Sequence, residues 1–169
     1  MKTILDYKTV LDMTKDVDTL SVTLRRGKKG VGIFTTQNLK KGQVVAYYRF
    51  ITQYDNDYKS PTKNMYTIAL YTISGREIKN LIGDIFCDSV IPPRRGIPFW
   101  GHFSNEPSPD EETNAFIDIN TQENYANRSR LKVGDIVIYK LRASQDIPKG
   151  REVLWCYGDS YNRPYKANC

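Results

Sequence analysis

The chain has 169 residues, a formal net charge of +6, and a composition that is 40% hydrophobic and 12% aromatic. This length is enough for one domain with its own core, and the composition excludes a disordered chain. The N-terminus lacks the apolar block of a signal peptide, and no apolar run has the length of a membrane span. We therefore expect a protein of the nucleus or cytoplasm that is not secreted.

The three cysteines, Cys87, Cys156 and Cys169, are odd in number and show neither CxxC nor Cys/His spacing. The pattern predicts neither a disulfide framework nor a structural zinc site, and no metal is expected. No neighbouring residue would stabilise a thiolate at Cys156, so an inert buried thiol is expected there, in a reducing compartment.

The positive charge is concentrated at the front of the chain. Residues 1–50 carry ten Lys or Arg against four Asp or Glu, and the remainder is close to neutral. The densest run contains Arg25, Arg26, Lys28 and Lys29. A run this short is typical of a solvated loop, and the alternative is a contact with nucleic acid or another acidic surface.

The predicted elements are short and mainly β. Residues 1–19 space apolar side chains among Asp and Lys, which predicts an amphipathic arm that packs on the domain. Short apolar runs bounded by Gly, Pro and polar residues predict strands at residues 20–24, 31–35, 43–50, 65–73, 115–119, 136–141 and 153–157. Residues 80–98 are predicted to form short strands and loops. Because no linker divides the chain, a single mainly-β domain is expected over residues 20–165.

One sequence pattern occurs twice. Residues 35–45 and 143–153 share the order small, small, Gln, Asx, aliphatic, and then Lys-Gly. Each copy leads into an apolar run that ends in tyrosine, at Tyr48 and at Tyr157. The echo predicts two similar strand–turn–strand units around the middle of the chain, too few for a solenoid.

Three stretches in order carry a family resemblance. They are the GVGIF of residues 30–34, the FSN of residues 103–105 with the NA of residues 114–115, and the EVLWCYG of residues 152–158. In this order they resemble the SET domain of protein lysine methyltransferases, and residues 155–161 are also similar to the PR-domain branch. Three motifs in order are far more specific than any one of them.

The resemblance implies a fold of several short sheets with a knotted C-terminal segment. It also implies a protein-lysine N-methyltransferase that transfers a methyl group from S-adenosyl-L-methionine to a lysine side chain of a histone or other basic tail. A role in chromatin regulation would follow from such a substrate.

The resemblance also implies the site residues. Tyr157 would orient the acceptor amine, with Tyr48 and Trp155 as the other catalytic residues. Without the upstream motifs, Tyr157 would be read as an ordinary buried tyrosine with a satisfied hydroxyl. The implied donor-binding residues are Gly30, Val31, Gly32, His102, Asn105, Tyr157 and Tyr161.

Each donor-site assignment has a structural alternative. Gly30 and Gly32 would let the backbone approach the donor, although a Gly-x-Gly alone is more often a turn. Asn105 is expected to bond the amino-acid end of the donor, whereas Asn114 is expected to bond neighbouring backbone. His102, the only histidine, is placed near the donor, and its alternative role is packing.

Trp155 stands two residues before Tyr157, where the family uses phenylalanine or tyrosine to set how many methyl groups the lysine can carry. Strand alternation would place both side chains on one face, with the indole narrowing the lysine channel. The expected products are therefore mono- and dimethyl-lysine.

Several positions depart from the family pattern. Glu106 stands where the family has histidine, Phe50 replaces a glycine, and residues 108–113 form an insertion. A cysteine-rich segment is missing after the domain, so the resemblance implies a C-terminal lid without zinc, built from Tyr161, Pro164 and Tyr165.

These departures keep two other functions open. Glu106 and Phe50 motivate a catalytically inactive SET-like module that binds a peptide or chromatin. The basic run at residues 25–29 and the tyrosine content motivate a β-rich nucleic-acid binder. Donor binding separates the nucleic-acid binder from the methyltransferase and the inactive module. Methyl transfer separates the methyltransferase from the inactive module.

Overall fold

The computed structural model describes residues 20–55, 66–72, 74–87, 91–119, 131–159 and 161–169. The predicted arm over residues 1–19 lies outside these described residues. Within them the chain forms seven strands and a short 3-10 helix, Gly101–Phe103. The strands are β1 Val22–Gly27, β2 Gly30–Thr35, β3 Val44–Tyr54, β4 Thr67–Tyr71, β5 Glu77–Ile85, β6 Ala115–Asp118 and β7 Ile136–Ala143.

The strands form two antiparallel sheets, which confirms the mainly β prediction. Strands β1 and β2 form a hairpin, and the other five lie in the order β4-β5-β3-β7-β6. Six strands lie where the sequence predicts them. The seventh, β5, has nine residues and begins at Glu77, before the region 80–98 in which short strands were predicted. Its beginning was not recognised because its first residues are mostly polar.

The predicted strand at residues 153–157 is wrong in its details. Instead of a continuous ladder, the chain makes two isolated bridges, Glu152 with Phe34 and Leu154 with Asn105. The reason is that the two edges of this segment meet different parts of the chain. Residues 152–154 are thus inserted between β2 and the loop after the 3-10 helix, while the knot itself stays a prediction.

The two copies of the repeated pattern pair with each other. Leu39 donates its N–H to the Ile147 carbonyl at 2.8 Å, and Ile147 donates its N–H to the Leu39 carbonyl at 2.9 Å. Both side chains are buried, at 1% exposure each. Residues 35–45 and 143–153 are therefore related by an approximate two-fold axis, a relation that the echo did not reveal.

Side chains reinforce the same symmetry. Asn38 accepts a hydrogen bond through Oδ1 from the Lys149 N–H at 2.9 Å. Asp146, its counterpart in the other copy, accepts one through Oδ1 from the Lys41 N–H, also at 2.9 Å. Each Asx residue thus caps the turn of the opposite copy, which explains why both copies carry Asn or Asp at this position.

Phe50 is accommodated inside the larger sheet. Its side chain is fully buried and packs edge-to-face on Tyr139, with ring centroids 4.9 Å apart. Gly83 lies on the neighbouring strand β5, and a Cβ there would collide with the Phe50 ring and with Ile68. The glycine makes room for the phenylalanine, so this departure is a core substitution balanced across two strands.

Candidate active site

Tyr157 lies at the end of the inserted segment and is held at two points. Its phenol donates a hydrogen bond to the Ser104 carbonyl at 2.6 Å. Its backbone N–H donates to Oε1 of Glu106 at 2.6 Å. The loop after the 3-10 helix therefore fixes both the main chain and the hydroxyl of this residue.

Tyr157 belongs to a cluster of four aromatic rings. Trp155 packs edge-to-face on Tyr157 at 5.2 Å and on Tyr48 at 5.7 Å, measured between ring centroids. Tyr161 also packs edge-to-face on Tyr157, with ring centroids 4.9 Å apart. The Trp155 indole N–H donates to the Tyr48 hydroxyl at 2.8 Å. The structure thus brings together all the aromatic residues that the resemblance implied, with Trp155 and Tyr157 in direct contact.

The phenols of buried Tyr48 and half-buried Tyr157 both stay protonated. Burial raises the pKa of Tyr157 well above its usual value, and the nearby Tyr48 phenol raises it further. Burial likewise raises the pKa of Tyr48, against a smaller opposing effect of the Trp155 hydrogen bond. Both groups are therefore neutral hydrogen-bonding phenols across the physiological range rather than phenolate bases.

Gly101 is a site residue that the sequence reading missed. A Cβ on this glycine would fall inside the Tyr48 ring, so only glycine allows the 3-10 helix to pack on that ring. Its signal was present in the sequence, as a glycine beside the only histidine and two aromatic residues.

Asn105 connects β2 to the inserted segment. Its amide nitrogen Nδ2 donates to the Val31 carbonyl at 3.2 Å and to Oε1 of Glu152 at 2.8 Å. A Cβ on Gly32 would collide with the same Glu152 carboxylate and approach Asn105. Val31, Gly32 and Asn105 therefore lie together, as predicted, and Glu152 joins them as a residue whose contacts the sequence did not indicate.

Asn114 bonds the neighbouring backbone, which confirms that prediction. Its Nδ2 donates to the Glu152 carbonyl at 2.9 Å, and its Oδ1 accepts from the Leu154 N–H at 2.8 Å. The side chain thus holds the inserted segment on the side opposite to Asn105 and has a structural role.

Gly30 lies at a turn and His102 lies on the 3-10 helix. Gly30 closes the β1–β2 turn at φ +92°, a left-handed conformation that strains other residues, so its first role is the turn. His102 lies on the 3-10 helix, three residues before Asn105, and its ring packs on Phe103 with centroids 4.3 Å apart.

Glu106 is a second residue whose role was missed. Its side chain is fully buried and accepts hydrogen bonds from Arg163, from the Tyr157 N–H and from the Tyr165 hydroxyl. Burial opposes its ionisation, but these donors together hold the pKa of the carboxyl below its usual range. Arg163 lies 57 residues away in sequence, so no local pattern could indicate the pair.

The prediction of an inert thiol at Cys156 is wrong. Cys156 and Cys169 form a disulfide with their Cα atoms 5.8 Å apart. The two cysteines are 13 residues apart, and the chain returns across the site between them. Spacing alone could not show this return, which is why the cysteines did not predict a bond.

Only part of the basic run faces solvent. Lys29 pairs with Glu152 at 3.3 Å and with Glu111; burial lowers the pKa of Lys29, but these carboxylates outweigh it and raise the pKa. The Arg25 guanidinium stacks on Phe34, 4.0 Å from the ring centroid, although its residue remains exposed.

The fold is mainly β with short sheets, and a tyrosine lies at the end of a segment that is inserted beside an Asn-containing loop. Together these two features define a class of protein. Residues 30–158 match the SET domain family, and the chain belongs to that family. The resemblance drawn from the three motifs is thereby confirmed. No curated protein sequence matches the chain.

Two solved structures share the fold. A candidate histone methyltransferase of Plasmodium falciparum aligns with a TM-score of 0.54 and 16% identity, covering 84% of this chain and 96% of its own. The methyltransferase domain of human PR domain-containing protein 2 aligns with a TM-score of 0.51 and 16% identity, covering 97% of this chain and 99% of its own. In the described part of the chain, no helix is long and apolar enough to cross a membrane.

Proposed function

We propose that the protein is a protein-lysine N-methyltransferase that uses S-adenosyl-L-methionine and acts on a histone or another basic tail. The observation that carries this proposal is the Tyr157 phenol, which is neutral, half-buried and packed against the Trp155 and Tyr161 rings. Its proton is given to the Ser104 carbonyl, so its oxygen lone pairs can accept a hydrogen bond from an amine. Such a group aligns a lysine nitrogen without removing its proton itself.

The acceptor side follows from the same rings. Tyr48, Trp155 and Tyr157 would form an apolar channel whose desolvation lowers the pKa of a lysine that enters it. The amine would then lose its proton to solvent before alignment, and exclusion of water would protect the reacting geometry. The residues of this chain orient the amine and exclude water.

The donor side is proposed at β2 and the loop after the 3-10 helix. S-adenosyl-L-methionine would supply a methyl group on a positively charged sulfur, and aromatic faces such as those of Tyr157 and Tyr161 suit a cation. Val31 and Gly32 offer backbone, and His102 lies nearby on the 3-10 helix. Because Nδ2 of Asn105 is engaged within the chain, its Oδ1 is the atom proposed to contact the donor amino group.

The domain assignment belongs to this proposal. Residues 20–165 would be the methyltransferase domain, and the stretch from Tyr161 to Tyr165 its lid. A location in the nucleus or cytoplasm and a role at chromatin would follow if the substrate is a histone.

Two measurements test the function. Calorimetry with S-adenosyl-L-methionine should detect donor binding, and tritiated methyl transfer to core histones should give a labelled lysine. Donor binding without transfer to any protein substrate would favour the inactive module. Absence of both, together with binding to DNA, would favour the nucleic-acid binder.

A contact with nucleic acid remains a separate proposal about the basic hairpin. Arg25, Arg26 and Lys28 are exposed, whereas Lys29 faces carboxylates. Neutralising the three exposed residues should flatten the salt dependence of DNA or nucleosome binding, since each lost phosphate contact removes released counterions. Neutralising Lys29 alone should change that slope least. An unchanged slope in the triple variant would exclude the contact.

A further inference from the structure

The C-terminal residues 161–169 return across the loop formed by residues 104–111. Asn168 donates its N–H to the Pro107 carbonyl at 3.2 Å and its Nδ2 to the Glu111 carbonyl at 2.6 Å. Tyr165 donates its hydroxyl to Oε2 of Glu106 at 3.0 Å. The segment is thus fixed along its length and ends at the disulfide.

The strongest polar anchor of this segment is an ion pair between partly exposed Arg163 and the buried carboxylate of Glu106. Arg163 donates from Nε to Oε2 of Glu106 at 2.8 Å and from Nη2 to Oε1 at 2.6 Å, a two-pronged contact. Nη2 also donates to the Gly158 carbonyl at 2.9 Å. An unpaired buried carboxylate would be strongly destabilising, so Glu106 requires this partner once the segment is in place.

One carboxylate atom joins the segment to the catalytic tyrosine. Oε1 of Glu106 accepts both from the Arg163 guanidinium and from the Tyr157 backbone N–H. Two residues before Arg163, the Tyr161 ring lies against the Tyr157 ring. A shift of the C-terminal segment would therefore act on Tyr157 through its main chain and through its ring.

We propose that Glu106 and Arg163 are a pair of positioning residues that seat residues 161–169 as a zinc-free lid and hold Tyr157 in its working position. The proposal rests on the proposed methyl transfer. Under this proposal Glu106, which replaces the family's histidine, helps to position Tyr157 and the lid.

Three variants test the pair. Glu106→Gln keeps the shape of the side chain but removes its charge, and Arg163→Met removes the guanidinium. Arg163→Lys keeps the charge but cannot make the two-pronged contact. We expect kcat for methyl transfer to fall about tenfold or more in the first two, because small displacements of aligned groups are costly. Arg163→Lys should recover part of that loss. Should Glu106→Gln fail to fold, the two Arg163 variants still decide.

A matched control separates positioning from stability. Asp118 pairs with Arg142 at 2.6 Å in the sheet, and Asp118→Asn makes the same chemical change as Glu106→Gln. The control should lower thermal stability and leave kcat unchanged. The double variant Glu106→Gln/Arg163→Met should be no worse than either single variant, since both break one unit. Loss confined to KM, or full additivity, would overturn the proposal.

Hydrogen exchange of residues 161–169 measures how firmly the lid is held, and it does so independently of methyl transfer. Exchange should quicken in Glu106→Gln and Arg163→Met and not in Asp118→Asn, and the effect should be larger with Cys169→Ser added, since the disulfide then no longer holds the end. Quicker exchange in a protein that transfers no methyl group to any substrate would refute the proposed function but retain the lid. Unchanged exchange would refute the lid.

A metal is the competing explanation for Glu106. Ligand atoms of Glu106, Cys156 and Cys169 lie within 4.8 Å of one another. If reduction created a cation site there, the reduced enzyme would lose activity in a chelator and recover it with zinc. That result would overturn the ion-pair account, whereas activity that is indifferent to chelator supports it.

Discussion

At the scale of single residues, Tyr157 and Trp155 show how partly buried hydrogen bonds assign roles to aromatic side chains. The Tyr157 proton is committed to a backbone carbonyl, and the Trp155 proton to the Tyr48 hydroxyl. The Tyr157 oxygen therefore presents lone pairs beside aromatic rings, the arrangement needed to orient an amine, whereas the Tyr48 oxygen already accepts the Trp155 N–H.

Tyr157→Phe should retain the fold and donor binding while kcat falls about 100-fold, since one oriented hydroxyl is lost. Stability should fall by about 1 kcal/mol, because the Ser104 carbonyl loses its partner. Transfer rates and donor calorimetry measure these effects. Tyr54→Phe, at a residue 53% exposed, is the control and should change neither. Near-normal turnover in Tyr157→Phe would remove this residue from catalysis.

Trp155→Phe should raise the methylation degree of the product. The indole contacts Tyr48 and Tyr157 and is fixed by its hydrogen bond, so it leaves little room for a methylated amine. Phenylalanine is smaller and lacks the N–H. Mass spectrometry of a peptide substrate should find mainly mono- and dimethyl-lysine with the unmodified protein and more trimethyl-lysine with the variant. Mainly trimethyl-lysine from the unmodified protein would contradict the reasoning.

At the scale of elements, the repeated pattern builds two turns that support each other. Gly42 donates its N–H to the Ala143 carbonyl at 2.8 Å, and Gly150 donates its N–H to the Thr35 carbonyl at 2.8 Å. These glycines have φ +84° and +82°. The turns that lead to Tyr48 and to Tyr157 are thus structurally equivalent, and they fix β3, which carries Tyr48, and the inserted segment that ends at Tyr157.

Gly42→Ala and Gly150→Ala should each destabilise the protein by about 1 kcal/mol, because alanine is strained at positive φ. Neither substitution meets a neighbouring atom, so backbone strain alone sets the loss. Urea unfolding of the two variants should give the same loss within error. A clear difference between them would show that the two-fold relation does not extend to energetics.

At the scale of the whole molecule, buried tyrosines connect the core to the site. Tyr47, Tyr48 and Tyr139 are at most 3% exposed, and the Tyr139 hydroxyl accepts from the Tyr71 N–H at 3.1 Å. Burial raises the pKa of Tyr139 to about 12. Burial also raises the pKa of Tyr48, so Tyr48 and Tyr139 bind their protons more tightly in the folded protein than in the unfolded chain.

This difference predicts alkaline unfolding. Tyrosine in the unfolded chain ionises near pH 10, so the stabilisation from buried phenols is fully present below that pH and is lost as pH rises toward 12. The free energy of unfolding in urea should therefore fall between pH 10 and 12. In Tyr139→Phe the slope should be shallower by about 1.4 kcal/mol per pH unit. Equal slopes would mean that Tyr139 ionises freely in the folded protein.

The sequence by itself determined most strands, the single mainly-β character, the family and the aromatic site. Strands follow from local alternation and turn residues, and the site follows from three ordered motifs, both of which are visible within short windows. Trp155 and Tyr157 were predicted to lie together because one motif contains both, and Tyr48 and Tyr161 were added by the family resemblance.

Only the tertiary structure decided which distant residues meet. Glu106 with Arg163, Cys156 with Cys169, and Phe50 with Gly83 are joined by chain reversals and strand pairing rather than by local spacing. The departures of Glu106 and Phe50 from the family pattern therefore looked like defects as long as only the sequence was known. Each is balanced by a partner that proximity in space supplies, because packing and charge pairing depend on distance between atoms and not on separation along the chain.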